Sequence, residues 1–307
     1  MPPRQRLIGY GLMIGTGILF CLLDTVAKLA SRDASVAQVV WMRYAVHLVL
    51  AVVILNPLIS PSSWRVNRAG LQLLRALTLV INTALNFLAL QYLQLAETLT
   101  IQFLAPFMIA LISVVALGER IGPRRWVAIG LGFFGILVVT RPGIGDVHPA
   151  VLLSIVAVIL FAVYAVLTRV LTRTESPGSM LLVSAGVPAL LLLPILPFVW
   201  VWPQDPFTWV LMIAAGVFGG LSHTLLIAAH RLVSAAELAP IAYVQIIWTV
   251  LLGFSVFGDV PSGWTVAGAL IVIASGLYYM SRDRVRKAKT PVAVIAPAVP
   301  VRDPERP

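Results

Sequence analysis

One stretch occurs twice in this chain, as AETLTIQFLAPFMIALISVVALGE at 96–119 and as AELAPIAYVQIIWTVLLGFSVFGD at 236–259. Each copy opens on Ala-Glu, crosses an apolar run and closes on glycine plus a carboxylate, with a shift of 140. The echo extends outward. Ile18-Leu19-Phe20, Lys28 and Ser31-Arg32 return as Ile159-Leu160-Phe161, Arg169 and Thr172-Arg173, shifted by 141. Trp126 and Gly130 return as Trp264 and Gly268. A near-constant shift along most of the chain marks an internal duplication. Each half holds about five apolar runs, and an odd number makes the halves insert in opposite directions, as an inverted repeat.

Composition names the solvent. Of 307 residues 60% are hydrophobic and 11% charged, where a soluble domain has about 45–50% and 25%. Too few polar residues are present to clothe an aqueous core, so the chain reads as an all-α integral membrane protein. Spans of about 20 apolar residues fall near 7–30, 36–55, 71–92, 98–117, 124–140, 149–171, 179–200, 207–229, 236–257 and 264–281. The expected architecture is ten transmembrane helices as two inverted five-helix repeats, over 1–141 and 142–281. Residues 282–307 form a basic tail, Lys/Arg-rich and then alternating Ala, Val and Pro, expected to be disordered and cytoplasmic.

Cations set the orientation. With the N-terminus in the cytoplasm, Arg4, Arg6, Arg65, Arg68, Arg120, Arg124, Arg125, Arg173, Arg231 and the cluster from Arg282 to Lys289 share that side. Only Arg32 and Arg141 lie opposite. Both termini are then cytoplasmic, in a multi-pass protein of a cell inner membrane. The net charge of +10 is placed for anionic lipid and topology, with no basic groove for nucleic acid. The lone cysteine, Cys21, excludes an internal disulfide, and its place in an apolar run suits a small buried side chain.

In order and doubled, several short motifs resemble the drug/metabolite transporter superfamily and, within it, the EamA family. They are Asp24 to Lys28, Trp41-Met-Arg43-Tyr44, Leu117-Gly118-Glu119-Arg120, Trp126 and the glycines Gly130, Gly132 and Gly135. The resemblance covers about 7–281. It implies tandem five-helix repeats that carry small metabolites. The run from Ala239-Pro240 through Tyr243, Gln245 and Trp248 to Asp259-Val-Pro261 is similar to a riboflavin-uptake branch, which makes riboflavin the expected substrate. Export of amino acids or related metabolites is the alternative. Many family members have a proline near position 246, matching Pro106. Here Ile246 stands there, so the two halves are expected to bend differently.

Ionisable groups in a bilayer are costly and tend to be functional or paired. Asp24 and Lys28, then Arg43 and His47, are each four apart on one helix face, and Asp24, Lys28 and Arg43 could line an outward vestibule. Lys28 could equally snorkel to the interface. Asn82 and Asn86 share a face, as do Gln102 and Pro106. Tyr164, Tyr243, Gln245, Trp248 and Trp41 could supply hydrogen bonds and stacking surfaces for a substrate, or simply helix association. Glu97 and Glu237 begin repeat-related spans, where a carboxylate caps a helix or couples transport to protons. His223 and His230 are seven apart, without the further ligands a metal site needs. Gly216 and Gly220 permit close helix contact.

No nucleophile–base pair, metal set, phosphate loop or filter appears, which disfavours a membrane-embedded enzyme, a nucleotide-driven pump and a channel. No cofactor is implied. The partners are a small-molecule substrate and the lipid bilayer. The oligomeric state stays open, a homodimer included.

Overall fold

A computed structural model describes residues 3–55, 64–118, 122–141, 148–233 and 235–289. In lipid the backbone must satisfy itself, and the described residues do so as helices, with no strand among them. In chain order these are α1 (Pro3–Ala30), α2 (Val36–Leu55), α3 (Ala69–Leu90), α4 (Leu95–Gln102), α5 (Ala105–Leu117), α6 (Pro123–Thr140) and α7 (Ala150–Leu171). Then follow α8 (Pro177–Leu192), α9 (Leu196–Val199), α10 (Pro206–Leu232), α11 (Ala235–Ala242), α12 (Gln245–Leu252) and α13 (Gly263–Lys289). Eight stretches are long and apolar enough to cross a membrane, counting Leu95–Leu117 and Pro240–Phe257 as one each, and two shorter apolar helices cover Pro177–Leu192 and Gly263–Tyr279. The chain is therefore an all-α, multi-pass membrane protein.

Local chemistry places the helix ends. Pro123, Pro177 and Pro206 occupy first turns, where a missing N–H costs nothing. Ser176 and Asp205 accept the free N–H groups of Ser179 and Phe207. Gly118 and Gly258, at matching positions of the duplicated stretch, end their helices with φ of 66° and 70°, a conformation that favours glycine. Helix α13 runs on to Lys289, into the segment expected to be disordered. Its last turns are rich in Arg and Lys, good helix formers whose positive charge suits a helix C-terminus. Positions 290–307 of that tail, 119–121, 142–147 and the linker at 56–63 lie outside the described residues.

Both copies of the duplicated stretch are broken in the middle. Between α4 and α5, and again between α11 and α12, the chain tightens into three-residue turns: Leu104 N–H bonds Ile101, and Val244 N–H bonds Ile241. Pro106 accounts for the first break, because it cannot donate to Gln102 at the end of α4. The second break recurs 140 residues on although Ile246 stands where the first copy has Pro106. There Tyr243 is wedged against Gly276 of α13 and edge-on to Phe103, with centroids 4.7 Å apart.

Packing crosses between the halves. Helix α1 packs on α10 and α12, α3 on α7 and α8, α2 on α8 and α10, and α5 on α7. Helices α6 and α13 cross at glycine, where a methyl on Gly268 would stand 2.6 Å from the Gly135 carbonyl oxygen. Connections alternate between two ends of the bundle. At the N-terminal end Glu237 meets Arg6 and Tyr10, and Glu175 accepts from Asn67 and Arg68 N–H. At the other end Gln91 donates to Ser31, Asp33 accepts from Asp205 N–H and Thr208, and Lys28 meets Asp259. Large apolar side chains such as Val115 and Phe198, each 88% exposed, face outward, as lipid contact allows.

Candidate functional site

Helix α3 carries a polar stripe at helical spacing: Gln72, Arg75, Thr83 and Asn86, all buried. It faces the centre of the bundle, and three hydrogen-bonded groups grow from it. Toward the end opposite the N-terminus, Asn86 donates to Asp24 Oδ1 at 3.2 Å and accepts from Gln102 Nε2 at 2.7 Å. This joins α1, α3 and α4. In the middle, the Arg43 guanidinium donates to Thr83 Oγ1 at 3.4 Å and lies 4.5 Å from the Tyr44 ring centre. The Tyr44 and Thr83 hydroxyls are 2.8 Å apart. Further along, Arg75 donates to Gln72 Oε1 at 3.0 Å and to the Met180 carbonyl at 2.6 Å. Its guanidinium sits 5.4 Å from the Tyr164 ring centre.

Helix α10 closes this face. Gly216 and Gly220 let it approach α2 at Val46 and His47, while Gly219 lies beside the Arg43 guanidinium. The His47 and His223 rings stack at 5.8 Å with 8° between their planes, and Phe20 meets His223 edge-on at 5.5 Å. His230 lies apart, exposed and bonded to the Leu226 carbonyl of its own helix.

The residues singled out in the sequence divide accordingly. Asp24, Asn86 and Gln102 come into one hydrogen-bonded chain, with Arg43 within electrostatic range of Asp24. Asn82, half-buried, lies one turn before Asn86 and outside that chain. Tyr164 joins through Arg75. Lys28 turns away from Asp24: it donates to the Leu93 carbonyl at 2.9 Å, lies 3.5 Å from Asp259 Oδ2, and covers the Phe257 ring at 4.7 Å. A wider π-turn over Gly253–Phe257 presents that ring.

Trp41 donates its indole N–H to the Ala189 carbonyl at 3.0 Å and adjoins Trp200 in a cluster with Trp202 and Trp209. Tyr243 lies in a packed core. Gln245 sits against Gly17 of α1, and Trp248, half-buried on α12, leaves its indole nitrogen unpartnered. Glu97 accepts from Gln94 N–H at 3.2 Å, whereas Glu237 ties the start of α1 to α11. Cys21 is buried with its sulfur 2.9 Å from the Thr249 hydroxyl. No group of three or more metal-ligating side chains occurs among the described residues.

Sequence reasoning passed over Arg75, Gln72 and Thr83. The signal was available: a charge inside an apolar run is expensive, and positions 72, 75, 79, 83 and 86 share one helical face.

A polar seam enclosed by helices from both halves of an apolar bundle suits a carrier, and the comparisons agree. The model of the EamA-like transporter family matches the chain at 7–141 and again at 148–281. The chain belongs to that family. Among this EamA member's relatives is a riboflavin transporter of Vibrio cholerae, 30% identical over 86% of this chain and 89% of that one. A riboflavin transporter of Rhizobium johnstonii is 26% identical over 94% and 96%. An S-adenosylmethionine uptake transporter of Rickettsia prowazekii is 30% identical over 60% and 62%. A solved crystal structure with 17% identity superposes with a TM-score of 0.63 over 94% of this EamA protein and all of its own chain, a likeness in fold alone. Family and relatives make this a transporter of a small metabolite.

Proposed function

We propose that this EamA protein is a secondary transporter with ten membrane-crossing helices, five in each of two inverted repeats, in a cell inner membrane with both termini cytoplasmic. The packing favours it. Under the shift of about 140, α1 corresponds to α7, α2 to α8, α3 to α10, and α6 to α13. The cross-half contacts then come in reciprocal pairs: α1 with α10 and α3 with α7, α2 with α10 and α3 with α8. Two packings of nearly equivalent halves are what alternating access exchanges.

The carrying observation is the seam of Asp24, Asn86, Gln102, Arg43 and Arg75, closed by α10 of the other half. Riboflavin is the substrate to test first, because relatives that align over most of this chain bear that name. Export of amino acids or related metabolites is the second reading, supported by a pseudopaline exporter of Pseudomonas aeruginosa that is 22% identical over 87% of this chain.

The test is labelled riboflavin uptake in a bacterial host that can neither make nor import the vitamin. Saturable uptake that depends on this gene supports the reading. Absence of uptake with the protein present in the membrane removes riboflavin and turns attention to efflux. Replacing Trp248 with alanine is expected to weaken uptake without loss of expression; unchanged kinetics would exclude Trp248 from the substrate path.

A further inference from the structure

The seam is unequally charged. Arg43 and Arg75 are 4% and 1% exposed, and His47 is 4% exposed. His223 of α10 lies within electrostatic range of all three. Neither arginine forms an ion pair among the described residues. The carboxylates nearest to them are engaged elsewhere: Asp24 is held by Asn86, and Glu175 takes the N–H groups of Asn67 and Arg68 at the end of α3. Both Nε atoms and both His47 ring nitrogens are buried without a partner. Two guanidinium N–H groups and the His47 imidazole are thus left unmatched inside the bundle, on α2 and α3, under a wall of α10 that Gly219 and Gly220 bring close to Arg43 and His47. A buried donor without an acceptor costs free energy, and buried guanidinium groups call for an anion.

We propose that Arg43 and Arg75, with His47 and His223, bind an anionic oxygen group, a carboxylate or a phosphate, on the carried metabolite. This rests on the carrier reading and sharpens it: a flavin bearing a phosphate is preferred over the neutral vitamin. Arginine suits the task because its planar fork matches both groups and stays charged. A phosphate monoester brings a charge of about −1.5 to −2 at neutral pH. Asp24, in range of Arg43, favours a single anion in the seam over several.

The experiment measures binding of riboflavin, riboflavin 5′-phosphate, orthophosphate and citrate to the full-length protein in detergent, together with riboflavin uptake in proteoliposomes. The wild type is expected to bind the phosphorylated flavin about tenfold more tightly than riboflavin, the scale of one charge-assisted hydrogen bond. Arg43→Gln and Arg75→Gln are expected to bring that ratio near one, and Arg43→Lys to keep part of it. Equal affinity of the wild type for both flavins overturns the inference, as does a ratio that Arg43→Gln leaves unmoved. If neither flavin binds but citrate or orthophosphate stabilises the wild type and not Arg43→Gln, the anion site stands and the flavin reading falls. If riboflavin is carried and no anion binds, the flavin reading stands and the anion site falls. The wild-type comparison needs no variant to fold.

Discussion

Helices α1, α2 and α3 and their counterparts α7, α8 and α10 face one another across the bundle, yet they divide the chemistry unevenly. Under the shift of 141, Asp24, Arg43, His47 and Arg75 fall opposite Ala165, Ser184, Pro188 and Gly216. The first half supplies charge. The second supplies small side chains and glycines that let α10 lie against Arg43 and His47. A duplicated fold therefore does not require a duplicated site. One copy can hold polar groups whose burial is costly, while the other provides the close surface that keeps water and lipid from them.

The sharpest way to break this comparison is to remove a charge from the first half. Arg75→Ala removes the donor to Gln72 Oε1 and leaves the Met180 carbonyl with Ser184 alone. It is expected to cost about 1.5–3 kcal/mol of stability, the scale for a lost bond to a charged group, and to abolish uptake. Asp24→Asn keeps the shape and should spare folding but lower uptake at least about tenfold, by analogy with a lost charge-assisted bond; thermal melting and initial uptake rates separate the two effects.

Adding bulk to the crossing of the halves ranks next. Gly268→Ala places a methyl against the Gly135 carbonyl, and overpacking of this kind costs about 1–3 kcal/mol. Chemical denaturation in mild detergent should show it, with no change in substrate preference. The latch between Lys28 and Asp259 has a smaller effect. Each residue replaced by alanine should slow transport, and the double replacement should be no slower than Lys28→Ala alone, because neighbours in one contact are not additive. Fully additive losses would separate the two residues. The smallest effect belongs to Glu97→Gln, which weakens one acceptor for Gln94 N–H. It should cost under about 1 kcal/mol and leave uptake unchanged; a large loss of uptake would move Glu97 from capping to coupling.

Much of this was readable in advance, for a physical reason. Lipid forces long apolar helices, so spans show in hydropathy alone. The helix starts at Pro123, Pro177 and Pro206 and the turns at Gly118 and Gly258 follow from residue type. Asp24, Asn86 and Gln102 stood out as polar groups within apolar runs. That they touch one another depends on how three helices rotate, and no local pattern carries that. Trp41 has the look of a pocket aromatic, yet its indole N–H serves α8. Lys28 and Asp24 share a helix face, yet each is claimed by a different neighbour. The break at Tyr243 and Val244 comes with no proline at 246, in a stretch packed against α13 and Phe103.

The central claim is that one seam on α3 is reached from both sides of the membrane in turn. The lone cysteine makes this directly measurable. In a Cys21→Ser background, Asn82→Cys places a single thiol beside the seam, and a membrane-impermeant thiol reagent is applied to right-side-out and to inverted vesicles. The account predicts labelling from both sides, slowed from both by a transported substrate. Labelling from one side only, while uptake persists, would contradict it.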